Sequence, residues 1–186
     1  FVHPMVAHDD GSGPALYVGG DFTSAGGIAA KHVARWDGER WSAVGIPNTF
    51  AIHSLEVFDG GTGPVLCAGR ENGGVLKWNG STWTGLGSLT GWNGDVLDLL
   101  AWDDGSGPAL YACGEFNYVG GLAMNYVTKW NGSSWAPLGS GMSLGGSVAA
   151  LAVYDDGSGP ALYAGGSFTS AGGKPASNIA KWNGSM

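Results

Sequence analysis

The chain is written in short apolar runs cut by turn residues, and no helical period competes with them. Val148-Ala-Ala-Leu-Ala-Val-Tyr154 is one such run. It lacks the in/out alternation of a half-solvated strand and predicts a strand covered on both faces. Asp155 to Pro160 predicts a tight connection. Asp can bond its own backbone there, Gly supplies positive φ, and Pro opens the next strand without needing a donor. Ala161-Leu-Tyr-Ala-Gly165 predicts the second strand, and a Gly/Ser/Thr-rich loop leads to a third over Asn178-Ile-Ala-Lys-Trp182. Asn183-Gly184 then reads as a hairpin signal. The fourth strand is legible one unit earlier, as Ser134-Trp-Ala-Pro-Leu138.

This pattern recurs. Asp-Asp-Gly-Ser-Gly-Pro-Ala-Leu-Tyr begins at Asp9, Asp103 and Asp155, with a degraded copy over Phe58-Asp59-Gly60-Gly61-Thr62-Gly63-Pro64. A second phrase, Trp-Asn/Asp-Gly, follows at Trp36, Trp78, Trp130 and Trp182. From Pro to Trp is 22 residues in units one, three and four and 14 in unit two; from Trp to the next Pro is 28, 30 and 30. The undamaged unit is therefore 52 residues long, and unit two lacks eight of them between Gly69 and Val75. The expected division is residues 1–50, 51–93, 94–142 and 143–186.

Four short strands per unit, joined by turns and repeated in tandem, predict an all-β chain of the β-propeller class, built of four-stranded antiparallel blades with the last one incomplete. Composition agrees: 36 Gly and 9 Trp serve turns and flat packing surfaces, and 12% of residues are charged, against about 25% in an ordinary domain. The run Leu16-Tyr-Val-Gly19-Gly20, then Val33-Ala-Arg-Trp36-Asp-Gly, then Trp41 resembles the kelch motif, in which a Gly-Gly doublet ends the second strand and an aromatic pair follows. The resemblance covers essentially the whole chain. The doublet reads Gly69-Arg70 and Cys113-Gly114 in the middle units, and Trp stands where kelch repeats usually have Tyr. Phe-Thr-Ser-Ala-Gly-Gly and Trp-Asn-Gly-Ser-Ser-Trp also look like repeats of large secreted bacterial proteins of unassigned function. The resemblance implies a propeller that binds other proteins, outside the cell or on its surface.

The pattern of the earlier units places a Trp and a fourth strand after Met186. The expectation is a longer array, or another copy, that completes the open blade, because a bare strand edge invites pairing.

The turn aspartates Asp9, Asp10, Asp59, Asp103, Asp104, Asp155 and Asp156 are candidates for calcium, which takes clustered oxygens. Each turn offers only adjacent carboxylates, so turn chemistry is the preferred reading and no cofactor is expected. A basic residue precedes each Trp (Arg35, Lys77, Lys129, Lys181) and is read as a contact between blades. Asn79, Asn131 and Asn183 match the N-glycosylation acceptor but coincide with the expected hairpin turns. His3, His8, His32 and His53 show no metal-ligand spacing and read as scattered over the repeat, so no active site is expected. Cys67 and Cys113 fall on neighbouring units, too far apart to bridge.

Net charge of −7 argues against nucleic acid and anionic membrane surfaces, and no apolar run is long enough for membrane insertion. What varies among units is the face carrying the second-to-third and fourth-to-first connections. The candidate ligand face comprises Phe22, Thr23, Trp92, Asn93, Phe116, Asn117, Tyr118, Phe168 and Thr169, with Asn48, Thr49 and Phe50 alongside. Aromatic faces beside hydroxyls and amides suit a protein surface or a glycan, and the alternative for Phe22 and Phe168 is that they plug the interface between blades. A non-enzymatic structural or interaction module is the first reading, and a lectin-like propeller gaining avidity from repetition is the second.

Overall fold

A computed structural model describes residues 1–45, 50–88, 90–143 and 145–182, and among these it is all strand and turn. Asn48, Thr49 and the Asn183-Gly184 dipeptide lie outside the described residues.

Unit one contains β1 (Val2–Asp9), β2 (Pro14–Gly20), a small β3 (Ser24–Ala25) and β4 (Ile28–Ala29), then β5 (Val33–Trp36) and β6 (Trp41–Ala43). Unit two contains β7 (Ile52–Asp59), β8 (Pro64–Arg70), β9 (Val75–Trp78) and β10 (Trp83–Gly85). Unit three repeats the first, with β11 (Val96–Asp103), β12 (Pro108–Gly114), β13 (Tyr118–Val119), β14 (Leu122–Ala123), β15 (Val127–Trp130) and β16 (Trp135–Pro137). Unit four shows β17 (Ser147–Asp155), β18 (Pro160–Ser167), β19 (Ser170–Ala171), β20 (Lys174–Pro175) and β21 (Ile179–Trp182). The first three units each form one antiparallel four-stranded sheet in chain order, β1-β2-β5-β6, β7-β8-β9-β10 and β11-β12-β15-β16; the fourth shows β17-β18-β21.

The sheets pack face to face, and alternation along the second strand decides which neighbour each side chain meets. Ala15, Tyr17 and Val33 face forward onto Leu66, Ala68 and Leu76, which face back, and the same division places Ala109, Tyr111 and Val127 against Leu162 and Ala164. A strand buried on both sides needs no polar face, which is why the second strand reads as continuously apolar. The first strands β1, β7, β11 and β17 lie successively beside one another. Each first strand carries a bulge near its start, between Val2 and Met5, Ile52 and Ser54, Val96 and Asp98, and Val148 and Ala150.

The first connection of each unit is turn chemistry. Asp9 Oδ1 accepts the amides of Gly11 and Gly13 at 2.9 and 3.0 Å. Asp59, Asp103 and Asp155 do the same in their own units. The next residue along, Asp10, Asp104 or Asp156, takes the amide and hydroxyl of Ser12, Ser106 or Ser158.

The third connection differs from the two-residue turn that Asn-Gly signals. Trp78 pairs with Trp83, and Trp130 with Trp135, so four residues span each turn. The Asn79 carboxamide oxygen accepts the amides of Ser81 and Thr82 at 2.9 and 2.7 Å, and Asn131 and Asp37 act likewise. The side chain, not a left-handed backbone at Asn, makes this corner.

The basic residues before Trp also depart from expectation: they bond within a sheet, not between sheets. Lys129 Nζ lies 2.7 Å from Asp104 Oδ2, which also accepts the Tyr111 hydroxyl at 2.9 Å, with the ammonium 5.5 Å from the Tyr111 ring centre. Lys181, Asp156 and Tyr163 repeat this, and Arg35 donates to the Gly13 carbonyl at 3.0 Å. Burial pushes the Asp104 carboxyl upward, but bonds from Lys129, Ser106 and Tyr111 outweigh it and hold the group well below the usual carboxylate range. Unit two has Gly60 and Cys67 where the others have Asp and Tyr, so Lys77 is exposed. The partners are lost together, as a three-membered network requires.

Candidate functional site

The variable loops gather at the end of the sheets where each second strand finishes. In units one, three and four the loop folds on itself as the hairpins β3-β4, β13-β14 and β19-β20. Their corners are Gly26-Gly27, Gly120-Gly121 and Gly172-Gly173, with φ of 54/85, 60/83 and 59/76°. Two successive positive φ values define the turn that continues a right-twisted hairpin, so Gly-Gly is the operative signal in what composition alone describes as a loop. Unit two replaces the hairpin by a tight turn with Asn72 at φ 49°. The Asn72 amide donates to Asp95 Oδ1 of the next unit at 2.8 Å, and the Arg70 guanidinium lies over the Phe50 ring.

The candidate aromatic residues divide sharply. Phe116 and Phe168 are 0 and 4% exposed and belong to the cores between sheets. Trp92 is buried edge-on against Phe116 and Trp135, with ring centres 4.7 and 5.5 Å away. Phe22 is half-buried against Val18, Ala30 and Ala34. Of these four rings on the candidate ligand face, Phe116, Trp92 and Phe168 fill space between sheets, as the plug reading expected of Phe168, whereas Phe22 packs on its own sheet and not between sheets. Tyr118, 47% exposed, is the expected aromatic residue whose ring stays open, and Leu122, 59% exposed, follows it in the same hairpin.

The polar members stay at the surface. Asn93 Oδ1 accepts the amides of Asn117 and Tyr118, both at 3.0 Å, and its Nδ2 donates to Asn117 Oδ1. The connection entering unit three thereby clamps that unit's hairpin, although 24 residues separate Asn93 from Asn117. In unit four Ser143 Oγ accepts the Thr169 amide at 3.0 Å, a shorter version of the same clamp. Thr23 and Thr169 are exposed. The structure therefore brings Asn93, Asn117 and Tyr118 together and leaves Thr23 and Thr169 on other hairpins.

Toward the first strands, the same end carries residues absent from the expected face. His3 and His53 stack edge-on with ring centres 5.9 Å apart, and His53 Nε2 lies 3.6 Å from Asp95 Oδ2. Two of the four histidines, expected at different repeat positions, share one: His3 and His53 both stand eleven residues before the Pro of their unit, at the bulge of the first strand. That shared spacing is the signal that could have found them. Asp21, Glu71 and Glu115 occupy one repeat position just after the second strand, and each amide donates to the start of the first strand, at Phe1, Ala51 and Asp95.

Deeper along the first strands, Asp98 Oδ2 accepts the Leu151 amide of the next sheet at 2.8 Å. Burial raises the Asp98 carboxyl above its ordinary range, and burial together with the Asp98 charge raises Glu56. Cys67 and Cys113 are buried free thiols. Burial pushes the Cys67 thiol up to about 12, far from the thiolate form that reacts. Among the described residues no three His, Cys, Asp or Glu side chains are grouped to hold a metal ion, and no helix is long and apolar enough to cross a membrane.

No protein-family model matches the chain, and no curated protein matches its sequence.

Proposed function

We propose that the chain is a non-enzymatic interaction module, its sheets arranged as kelch-like propeller blades, and that the loop end binds another protein outside the cell or at its surface. The observation that carries this reading is the exposed Tyr118-Leu122 hairpin, held in place by the Asn93 clamp. A rigidly presented aromatic and aliphatic pair rimmed by amides is the composition of a protein-contact patch. The repeated positions, in contrast, are consumed by turns and by packing. The turn carboxylates already accept turn amides and serine hydroxyls, so the reading invokes no calcium and no other cofactor.

A lectin-like reading is favoured by one feature, the open Tyr118 ring beside the Asn93 and Asn117 carboxamides. One experiment separates the two. A photo-crosslinking side chain placed at Leu122, in the whole chain exposed to the extracellular protein fraction of its source, is expected to capture a protein. Tyr118→Ala is expected to abolish that capture. A glycan array that shows binding lost in Tyr118→Ala, with no protein captured, replaces the first reading with the second.

A further inference from the structure

Unit two departs from the repeat in several ways at one spot. Arg70 stands where the other units have Gly20, Gly114 and Gly166. A Cβ at those glycines would collide with the carbonyl oxygens of Phe1, Asp95 and Ser147, so unit two alone makes room there for a side chain, and the side chain is a long cation. Two residues further on, the other units place Phe22, Phe116 and Phe168 and then a hairpin; unit two places the exposed Asn72 in a tight turn. Phe50, arriving from the preceding connection, supplies the ring instead, its centre 5.6 Å from the Arg70 guanidinium carbon.

Arg70 is only 7% exposed. Its Nε donates to the Gly73 carbonyl, but its Nη1 is buried with no acceptor among the described residues. None of the ion pairs among those residues includes it. Burial alone acts on the guanidinium and lowers its basicity. The ring and the one carbonyl offset part of the lost hydration, yet a desolvated cation without an anion stays unfavourable. Filling space needs no charge, and an apolar side chain of similar volume would do it without that cost. The spot also adjoins the exposed hairpin: a Cβ at Gly73 would lie 2.8 Å from the Trp92 Cβ, and Asn93, the next residue, holds the Tyr118 amide.

We infer that Arg70, walled by Phe50 and steadied by the Gly73 carbonyl, is the seat of an anion site that takes one carboxylate group. With Nε engaged, the two Nη groups are left as a pair, and their spacing matches the two oxygens of a carboxylate. One cation against an apolar ring suits a single negative charge, whereas a phosphate dianion calls for further cations or donors. The carboxylate belongs to an acidic side chain of a protein bound at the loop end or to a free carboxylic acid. The first source rests on the loop-end reading given above; the carboxylate site itself does not.

The probe is acetate, titrated against the whole chain with chloride holding the ionic strength constant, and followed by the NMR signals of the Arg70 guanidinium N–H groups and of the Asn72 and Gly73 amides. Saturable shifts are expected, half complete at about 10 mM, a level within reach of so small a ligand. Arg70→Met is expected to abolish saturation at the two amides while melting at or above the parent temperature, because it buries no charge. Arg70→Lys keeps the charge without the fork and is expected to weaken acetate at least about fivefold. Shifts that stay linear to about 200 mM acetate overturn the inference, since the affinity is then negligible. Phosphate saturating at a lower concentration than acetate, or saturation retained in Arg70→Met, overturns it too. The source is read with the crosslinking side chain at Leu122. Capture weakened by Arg70→Met assigns the carboxylate to the bound protein, and unchanged capture beside saturable acetate assigns it to a free acid. No capture from the parent, with acetate saturating, overturns the loop-end reading and upholds the site.

Discussion

The Trp135 indole donates its N–H to the Leu86 carbonyl at 2.9 Å across the boundary between the third and second sheets, 49 residues back along the chain. Trp83 and Val44 make the same bond one boundary earlier. Flat apolar packing alone would let neighbouring sheets slide; a directional bond from a buried ring fixes their register. Trp135→Phe keeps most of the apolar contact but leaves the Leu86 carbonyl without its donor. The expected loss is about 2–3 kcal/mol, from the unpaired carbonyl and the smaller ring, read from urea unfolding. A loss below about 0.5 kcal/mol, the level of an ordinary surface change, would show that the bond does not hold the sheets.

Asp104 is the hub for Lys129, Ser106 and Tyr111, and its folded-state carboxyl lies well below the ordinary value. A depressed carboxylate contributes stability that is present above the unfolded value, near pH 4, and lost as pH falls through the folded one. Asp104→Asn is expected to cost about 1–2 kcal/mol at pH 7, as for a charge-assisted network that is mostly buried. The difference from the parent should shrink progressively as pH falls below about 4, where the unfolded parent takes up a proton that the folded carboxylate resists. A cost that is constant from pH 7 to pH 2.5 contradicts the pairing.

Glu56 has the opposite sign. Burial and the neighbouring Asp98 raise its carboxyl above the usual value, so its contribution is fully present below the unfolded value and lost as pH rises through the folded one. Glu56→Gln keeps an acceptor and removes the charge. The variant is expected to gain on the parent between about pH 4.5 and pH 7.5, the interval above the ordinary carboxylate value, in urea midpoints measured at both ends. Parallel pH profiles would exclude a charge strained by burial.

Gly69 permits the close approach of the second and third sheets. A Cβ there would lie 2.3 Å from Ser54 Oγ and 2.6 Å from Val96 Cγ1, and the backbone is not left-handed, so the constraint is one of space. Gly69→Ala is expected to cost about 1–3 kcal/mol by overpacking. Adding Val96→Ala should restore part of it, in a double-mutant cycle. Independence of the two substitutions would refute the contact. Unit three accepts Cys113 at the matching position, buried in the cluster that includes Val148.

Much of the fold was legible because its signals are local. The paired phrases around Pro14 and Trp36, and their later copies, mark turns whose geometry depends on one carboxylate or carboxamide and a few glycines, and those turns set strand order within each sheet. The missing hairpin of unit two was legible as a deletion for the same reason. Local signals were also misread where two turn chemistries share a composition. Asn79-Gly80 makes a four-residue corner through the Asn side chain, and Gly120-Gly121 makes the two-residue hairpin.

The candidate site was less legible, since a ring in a loop can serve a ligand or a core and sequence does not distinguish them. Phe116 and Phe168 enter sockets built by residues of a neighbouring unit, and Tyr118, two positions after Phe116, does not. His3 and His53 are 50 residues apart and meet because the first strands of successive units lie side by side.

The sequence by itself determined the repeat, the strand order within each unit and the places where the chain turns, because hydrogen bonds over two to four residues and the two-sided burial of the second strand are written in adjacent positions. Only the tertiary structure decided which aromatic rings are surface and which are core, and that the basic residues bond within their own sheet. The first depends on which face of one sheet meets its neighbour, and the second on contacts between residues 25 positions apart within one sheet, relations that no local pattern encodes.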